Sequence, residues 1–350
     1  MQFETDAFPK KIDNSQLSSL MRDVLIALIP GILVMVWFFG WGVISNLVLA
    51  TVFALGLEAI MLLIRGRPVV PFISDYSAII TAWLLALAIP AFAPWWLIFI
   101  GIFFAIVIAK QLYGGLGYNP FNPAMVGFAV LLISFPIEMV NWFTPLNNSM
   151  AHIGFMDSLH IVFSGMATEW DAMTMATPLD TIKTGLTMDK SVTNVMQGAK
   201  SAQTPSFGLL AGAGWEWISI AYLIGGLWLM FRKVITWHIP FTLLGTLALI
   251  ATIFWLYDAT IYTSPLFHLL AGGSMLGAFF IATDPISAST TPLGKIIYAA
   301  GIAFFIYVIR VWGSGYPDGV AFSVLVMNMA VPLIDYYTKP KVFGEDNGNE

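Results

Sequence analysis

The stretch from Asp171 to Lys183 reads Asp-Ala-Met-Thr-Met-Ala-Thr-Pro-Leu-Asp-Thr-Ile-Lys and centres on the hydroxyl of Thr177. Ala176 leaves that hydroxyl sterically open, Pro178 holds the chain in a turn, and Met175 and Leu179 supply apolar cover. Asp180, three residues on, can accept hydrogen bonds and steer a cation. Ala-Thr-Pro also suits a plain turn in which Thr177 or Thr181 caps a short helix. From the tripeptide alone both uses of the hydroxyl stay open.

A second polar concentration reads Lys110-Gln-Leu-Tyr-Gly-Gly-Leu-Gly-Tyr-Asn-Pro-Phe-Asn-Pro-Ala124. Gly114, Gly115 and Gly117 permit close backbone approach, while Pro120 and Pro123 fix turns. Asn119 and Asn122 present donors and acceptors beside apolar segments, where an unpartnered amide costs several kcal/mol. They must bond to backbone, to a partner or to a ligand. The pyrimidine edge of an isoalloxazine ring, with its alternating acceptors and donors, suits such a pair, and so does the tying down of a re-entrant turn. Glu58, in Leu57-Glu-Ala-Ile-Met61, is the acid most clearly inside an apolar run. An intramembrane carboxylate is an ion or proton station, a tie between helices, or a snorkelling group, here toward Arg65. Thr283-Asp-Pro-Ile-Ser-Ala-Ser-Thr-Thr291 lacks the glycine and lysine of a phosphate loop, and serves as a docking surface for electron-donor subunits or as capping and turns.

The elements that must position these residues are membrane spans. Of 350 residues 58% are hydrophobic and only 10% charged, against about 25% charged in soluble domains. The net charge of −5 and the lack of any basic cluster give no sign of nucleic acid. The absence of cysteine excludes disulfides, cysteine-held iron–sulfur clusters and cysteinyl flavin in this chain. His152, His160, His238 and His268 fall in a loop or at span entrances, which argues against haem. No metal site and no catalytic side chain is expected. The polar N-terminus lacks a cleavable signal pattern.

Ten apolar runs measure up against the roughly 20 residues of a span. They are Leu20–Gly40, Val43–Ile64, Tyr76–Ala93, Trp95–Lys110, Phe121–Val140, Leu209–Phe231, Ile239–Tyr257, Leu266–Thr283, Lys295–Val311 and Val320–Tyr337. Two are short, and Pro30, Pro90 and several glycines are expected to interrupt others. With both termini inside, the inner loops carry Lys10, Lys11, Arg22, Arg65, Arg67, Lys110, Arg232, Lys233, Lys295, Lys339 and Lys341. The outside receives only Lys183, Lys190, Lys200 and Arg310, so the positive-inside rule favours this orientation. It makes 1–140 a first transmembrane half, 141–207 an extracytoplasmic loop bearing Thr177, 208–338 a second half and 339–350 a cytoplasmic tail. Gly115-Leu-Gly-Tyr118 echoes Gly313-Ser-Gly-Tyr316, and Ser77 to Pro90 echoes Gly272 to Pro285. With five spans per half, such repeats would be inverted. The fold class expected is therefore an all-α polytopic membrane protein of about ten helices in two five-helix inverted repeats.

These motifs together resemble the RnfD-type membrane subunits of the Rnf (Rsx) electron-transport complexes, a family similar to the NqrB-type subunits of the sodium-pumping NADH:quinone reductase. The likeness runs over nearly the whole chain, through Trp37-Phe-Phe-Gly-Trp-Gly42, Ala109-Lys-Gln-Leu-Tyr-Gly-Gly-Leu-Gly117, Asn119-Pro-Phe-Asn-Pro-Ala-Met125, Ala176-Thr-Pro-Leu-Asp-Thr181, Leu276-Gly-Ala-Phe-Phe280, Thr283-Asp-Pro285, Tyr316-Pro-Asp-Gly-Val-Ala-Phe322 and Pro332-Leu-Ile-Asp-Tyr-Tyr337. The resemblance implies FMN joined to Thr177 through a phosphoester and installed by a flavin transferase. Thr174 and Met175 stand where the transferase motif has Ser or Asp and then a small residue. It places Asn119 and Asn122 near a non-covalent flavin, such as riboflavin. It further implies partner subunits holding iron–sulfur clusters and flavin, a multi-pass location in a bacterial inner membrane with cytoplasmic termini, and electron transfer between ferredoxin- or NAD-side and membrane centres coupled to Na⁺ or H⁺ movement. On this reading Glu58 belongs to the ion pathway. The competing class is a secondary transporter with inverted repeats and no redox cofactor.

Overall fold

The computed structural model describes residues 14–145, 153–165, 174–200, 207–313 and 318–339. His152, Asp171 to Met173, the Ser314–Tyr316 part of the glycine-turn echo and the tail beyond Lys339 lie outside those residues.

The chain opens with two long helices, α1 (Asn14–Phe39) and α2 (Trp41–Ile64). Three shorter apolar helices follow: α3 (Ser77–Ala88), α4 (Trp95–Gln111, π-wound from Phe103) and α5 (Pro123–Ser134). After the intervening loop segment comes α6 (Pro178–Thr187). The second half holds α7 (Trp215–Phe231), α8 (His238–Tyr257), the short α9 (Pro265–Leu270), α10 (Ser274–Leu276, running on as π-helix through Gly277–Ile281), α11 (Pro292–Trp312) and α12 (Val320–Thr338). Five of these are long and apolar enough to cross a membrane: α1 from Leu17, α2, α8, α11 and α12. The only strand pairing among the described residues joins Trp142–Phe143 to Thr174–Met175, antiparallel. The protein is an all-α membrane protein.

Side-chain distribution agrees with lipid as the solvent. Leu33, Val52, Leu249 and Phe304 point outward, each more than half exposed, while Asn46, Glu58 and Lys110 are almost fully enclosed. Polar groups inside and apolar groups outside are what a hydrocarbon surround requires.

Helix starts follow one local rule. Asn122, Thr177, Ser264 and Thr291 each precede a proline, and each side chain accepts the backbone N–H of the third residue on. A capping oxygen answers one orphan donor, and proline at the first helical position sacrifices none. Prolines elsewhere behave differently. Pro30 lies inside α1 and does not interrupt it, contrary to the sequence expectation, whereas Pro90 does lie just beyond the end of α3. There the buried Asn46 amide donates to Pro90 O at 2.8 Å, satisfying a carbonyl freed by the break.

The expected span Leu266–Thr283 is two helices, because Ala271 leaves the helix and Gly272 takes φ +63°. The carbonyls released at this break are held by a buried cation. Arg310, at the end of α11, donates to His268 O at 2.6 Å and Ala271 O at 3.3 Å, and it pairs with Asp318. Asp318 accepts in turn from Gly273 N at 2.9 Å. From sequence Arg310 is expected only as a basic residue at the outer end of the span Lys295–Val311; its structural task is visible only in the fold.

α2 lies against α3 and α4, and α8 lies against α9, α10 and α11; α1 meets α7, and α5 meets α12.

Candidate functional site

Two cavities lie toward opposite ends of the helices; Thr177 lines the first, Asn119 and Asn122 the second, and Glu58 neither. The first is walled by the C-terminal end of α3 (Leu87, Ala88), the residues leading into α10 (Gly272, Gly273) and the start of α12. The second is walled by the start of α3 (Ser77, Thr81), the residues just after α10 (Thr283, Asp284) and the start of α5. Since each cavity takes the start of one of α3 and α10 and the end of the other, these helices run antiparallel.

Thr177 opens α6 on the wall of the first cavity. Its approach is fixed by the pairing of Met175 with Trp142, whose ring packs 4.7 Å from that of Trp215. Beyond it, Pro178 presses on Gly212, where a Cβ would fall 2.2 Å from the proline ring, and Leu179 presses on Gly272. The hydroxyl accepts from Asp180 N at 3.2 Å and donates to Asp180 Oδ2 at 2.7 Å. Thr181 turns its own hydroxyl back to Thr177 O at 3.0 Å. Thr177 is thus the helix cap, half-buried, and one of the residues that line the cavity. Capping does not consume its hydroxyl oxygen: an ester oxygen there could still accept the Asp180 N–H, and only the donated bond to the carboxylate would be lost.

Burial raises the Asp180 carboxyl above its ordinary range, with the Thr177 hydrogen bonds and the Lys183 charge pulling the other way. Burial also lowers the Lys183 ammonium, an effect opposed by Asp180. For a raised acid the ionised form costs stability in the fold, and that cost is relieved as pH falls through the raised value.

The residues present fit a tethered flavin at Thr177. The cavity wall is apolar through Met35, Phe128, Trp215 and Leu276, and Gly272, Gly273 and Gly319 line it with backbone. Gly272 has φ +63°, and a Cβ there would lie 2.5 Å from Asp318 Oδ1 and 2.8 Å from Leu179. Gly272→Ala is therefore expected to cost about 1–3 kcal/mol through left-handed strain and crowding. The check is the thermal midpoint of the detergent-solubilised protein; an unchanged midpoint would mean the cleft is looser than described.

Asn119 and Asn122 both line the second cavity, buried to within a few per cent. Asn122 Oδ1 caps α5 by accepting Met125 N at 3.2 Å, and its Nδ2 donates to Ile281 O at 3.3 Å, across to the second half. Asn119 Nδ2 donates to Phe121 O at 3.0 Å. Asn119 Oδ1, however, is buried without a partner among the described residues. An orphaned acceptor in a cavity wall fits a ligand carrying an N–H donor, as the pyrimidine edge of a flavin does. The turn-tying use of the pair is real for Asn122 and incomplete for Asn119.

Glu58 does not snorkel toward Arg65. It is 1% exposed and paired with Lys110, Nζ to Oε1 at 2.6 Å, and Gln111 Nε2 donates to the same oxygen at 2.8 Å. Arg65 is occupied by Gln111 Oε1 at 2.9 Å and Gly114 O at 3.1 Å. Lys110 also donates to Ser77 Oγ at 2.7 Å and lines the second cavity. Sequence reasoning misses Lys110 as a site residue; the available signal is a lysine closing an apolar run, directly before the Gln-Leu-Tyr-Gly-Gly turn. Thr177 and the Asn119–Asn122 pair thus occupy separate cavities, and Glu58 reaches the second one only through Lys110.

The profile of the NQR2, RnfD, RnfE family matches residues 5–344. The D subunit of the ion-translocating oxidoreductase complex of Escherichia fergusonii is 48% identical over 359 aligned residues, covering 99% of this chain and 100% of that protein. The protein of the same name from Vibrio atlanticus is 49% identical over 354 residues, covering 98% and 100%. A profile match over almost the entire length, with full-length relatives near half identity, places this chain in the NQR2, RnfD, RnfE family.

Proposed function

We propose that this chain is the flavin-carrying membrane subunit of an Rnf-type ion-translocating electron-transport complex. FMN is held on Thr177 by a phosphoester installed by a flavin transferase, and a second, non-covalent flavin or riboflavin sits by Asn119 and Asn122. Bound flavin supplies the redox chemistry; the protein supplies position, electrostatics and exclusion of water. The observation that carries the reading is Thr177, a hydroxyl-bearing residue, on the wall of a mostly apolar cavity, in a chain whose full-length relatives are named as subunits of an ion-translocating oxidoreductase complex.

Each residue has a defined task. Thr177 tethers, and its cap geometry fixes the tether's exit from α6. Gly272 lets Leu179 and Asp318 pack against the backbone, while Met35 and Trp215 keep the wall dry. Asn119 Oδ1 accepts an N–H from the ligand of the second cavity, and Lys110 offers it a positive charge. Electrons pass between ferredoxin- or NAD-side centres and membrane centres, coupled to Na⁺ or H⁺ movement. Iron–sulfur clusters belong to partner subunits, since this chain has no cysteine.

Fluorescence of the denatured, gel-separated polypeptide tests the tether: a dark band from a strain with an active flavin transferase would favour the secondary-transporter class. Acid extraction tests the second cavity. Asn119→Leu should lose the non-covalent flavin at least tenfold and keep the gel band, and retention of both would remove Asn119 from the site.

The orientation proposed has cytoplasmic termini, Thr177 on the outer side of a bacterial inner membrane, and the two halves as inverted repeats of five spans. The antiparallel course of α3 and α10 supports the inversion. Lys190→Cys, on the exposed turn after α6, should react with an impermeant thiol reagent added to intact spheroplasts. Thr236→Cys, exposed between α7 and α8, should not. The reverse labelling pattern would invert the topology.

A further inference from the structure

Side chains from α2, α3 and α4 meet beside the second cavity in a continuous polar chain. Arg65 donates to Gln111, Gln111 to Glu58, and Lys110 to both Glu58 and Ser77. The Ser77 hydroxyl then donates to Asp75 Oδ1 at 2.6 Å. Lys110 and Glu58 side chains are 1% and 2% exposed. Two features leave this chain unfinished. Glu58 Oε2 is buried without a partner among the described residues. Lys110, an ammonium with three N–H donors, spends one on Glu58 and one on Ser77, and it forms part of the cavity wall that Glu58 does not reach. Across that wall stands Asp284, whose carboxylate accepts from Ser287 Oγ at 2.8 Å.

A helix tie alone needs neither feature. A lysine serves two clients well, because its charge is compact and its four-carbon stem is flexible. In a low-dielectric interior, one cation cannot fully neutralise an anion on each side of it. We propose that Lys110 is the charge-compensating residue of the second cavity: it balances Glu58 while the cavity holds a neutral flavin and is drawn to the flavin when an electron from an upstream centre of the complex makes it negative, whereupon Glu58 takes up one cation, a proton or Na⁺, from the inner face. One electron and one cation enter, so the site stays neutral. The inference rests on the non-covalent flavin reading above. The charged groups facing the pair are Asp75, Asp284 and, through Gln111, Arg65.

The test uses the intact purified complex, with potentiometric titration of the non-covalent flavin followed by absorbance. Lys110→Gln should lower its reduction potential, changing the oxidised-to-reduced ratio at fixed potential at least tenfold, about 59 mV for a one-electron couple. Glu58→Gln should shift it the opposite way, since Lys110 is then free for the cavity, and should abolish the dependence of the potential on the coupling cation. Titrations at varied pH without Na⁺, and at varied Na⁺ at fixed pH, tell the two cations apart. Lys110→Arg, which keeps the charge, should stay near the wild-type potential. Where Lys110→Gln fails to assemble, the double variant Lys110→Gln/Glu58→Gln replaces it and should titrate below Glu58→Gln. Shifts of the same sign in both single variants, or none in an assembled complex that retains the flavin, would overturn the inference and leave the pair as a helix tie. A wild-type complex with no extractable non-covalent flavin would overturn the cavity reading and the inference together.

Discussion

Thr177→Ala should abolish covalent flavin entirely. The substitution removes one hydroxyl and one methyl from a half-buried helix cap, and the lost capping bond costs only about 1 kcal/mol. The membrane helices do not depend on it, so the protein should still insert and purify in normal amount. A capping role alone would leave bound flavin unchanged. A tether role leaves the denatured polypeptide dark on a gel, and electron transfer through the complex collapses with it. Thr174 and Thr181 are the internal controls. Thr181 is spent on Thr177 O, Thr174 lies in the strand paired with Phe143, and neither residue lines the first cavity. Fluorescence that survives in Thr177→Ala and vanishes in Thr174→Ala or Thr181→Ala would relocate the tether. Fluorescence in all three would end the tether hypothesis.

What was legible in the sequence is whatever depends on neighbours along the chain. The helix start at Thr177 could be read because cap and proline are adjacent, and the structure repeats that arrangement at Asn122, Ser264 and Thr291. Apolar runs of membrane length gave α1, α2, α8, α11 and α12 nearly as expected. The rest depends on partners far away in sequence. The run 266–283 looked continuous because hydropathy averages over Gly272-Gly273, and only the fold brings Arg310 to the carbonyls freed there. Pro30 looked like a break, yet α1 continues through it. The same limit governs the candidate site. Arg65 seemed the nearest cation to Glu58 because it is two turns away on one helix, while the true partner, Lys110, arrives from α4. A buried acid announces that it needs a counter-charge, but not which one it finds.

The largest stability effect should fall on that pair. Lys110→Met is expected to cost about 3–5 kcal/mol, because it strands a buried carboxylate whose remaining donor is Gln111 and whose second oxygen already has none. Glu58→Gln should cost less, since the stranded ammonium keeps Ser77 and, behind it, the Asp75 carboxylate. The asymmetry separates this pair from a symmetric tie. Replacing both partners by apolar residues of similar volume, Lys110→Met with Glu58→Leu, should recover most of the loss, because no charge is then left in the interior. The measurement is a double-mutant cycle on thermal midpoints in one detergent, read beside the flavin content of each variant. A double variant as unstable as Lys110→Met would mean that the cavity wall needs the charge for folding itself. A stable double variant that holds flavin but no longer couples electron flow to cation uptake would mean that the buried charges serve function at a cost in stability.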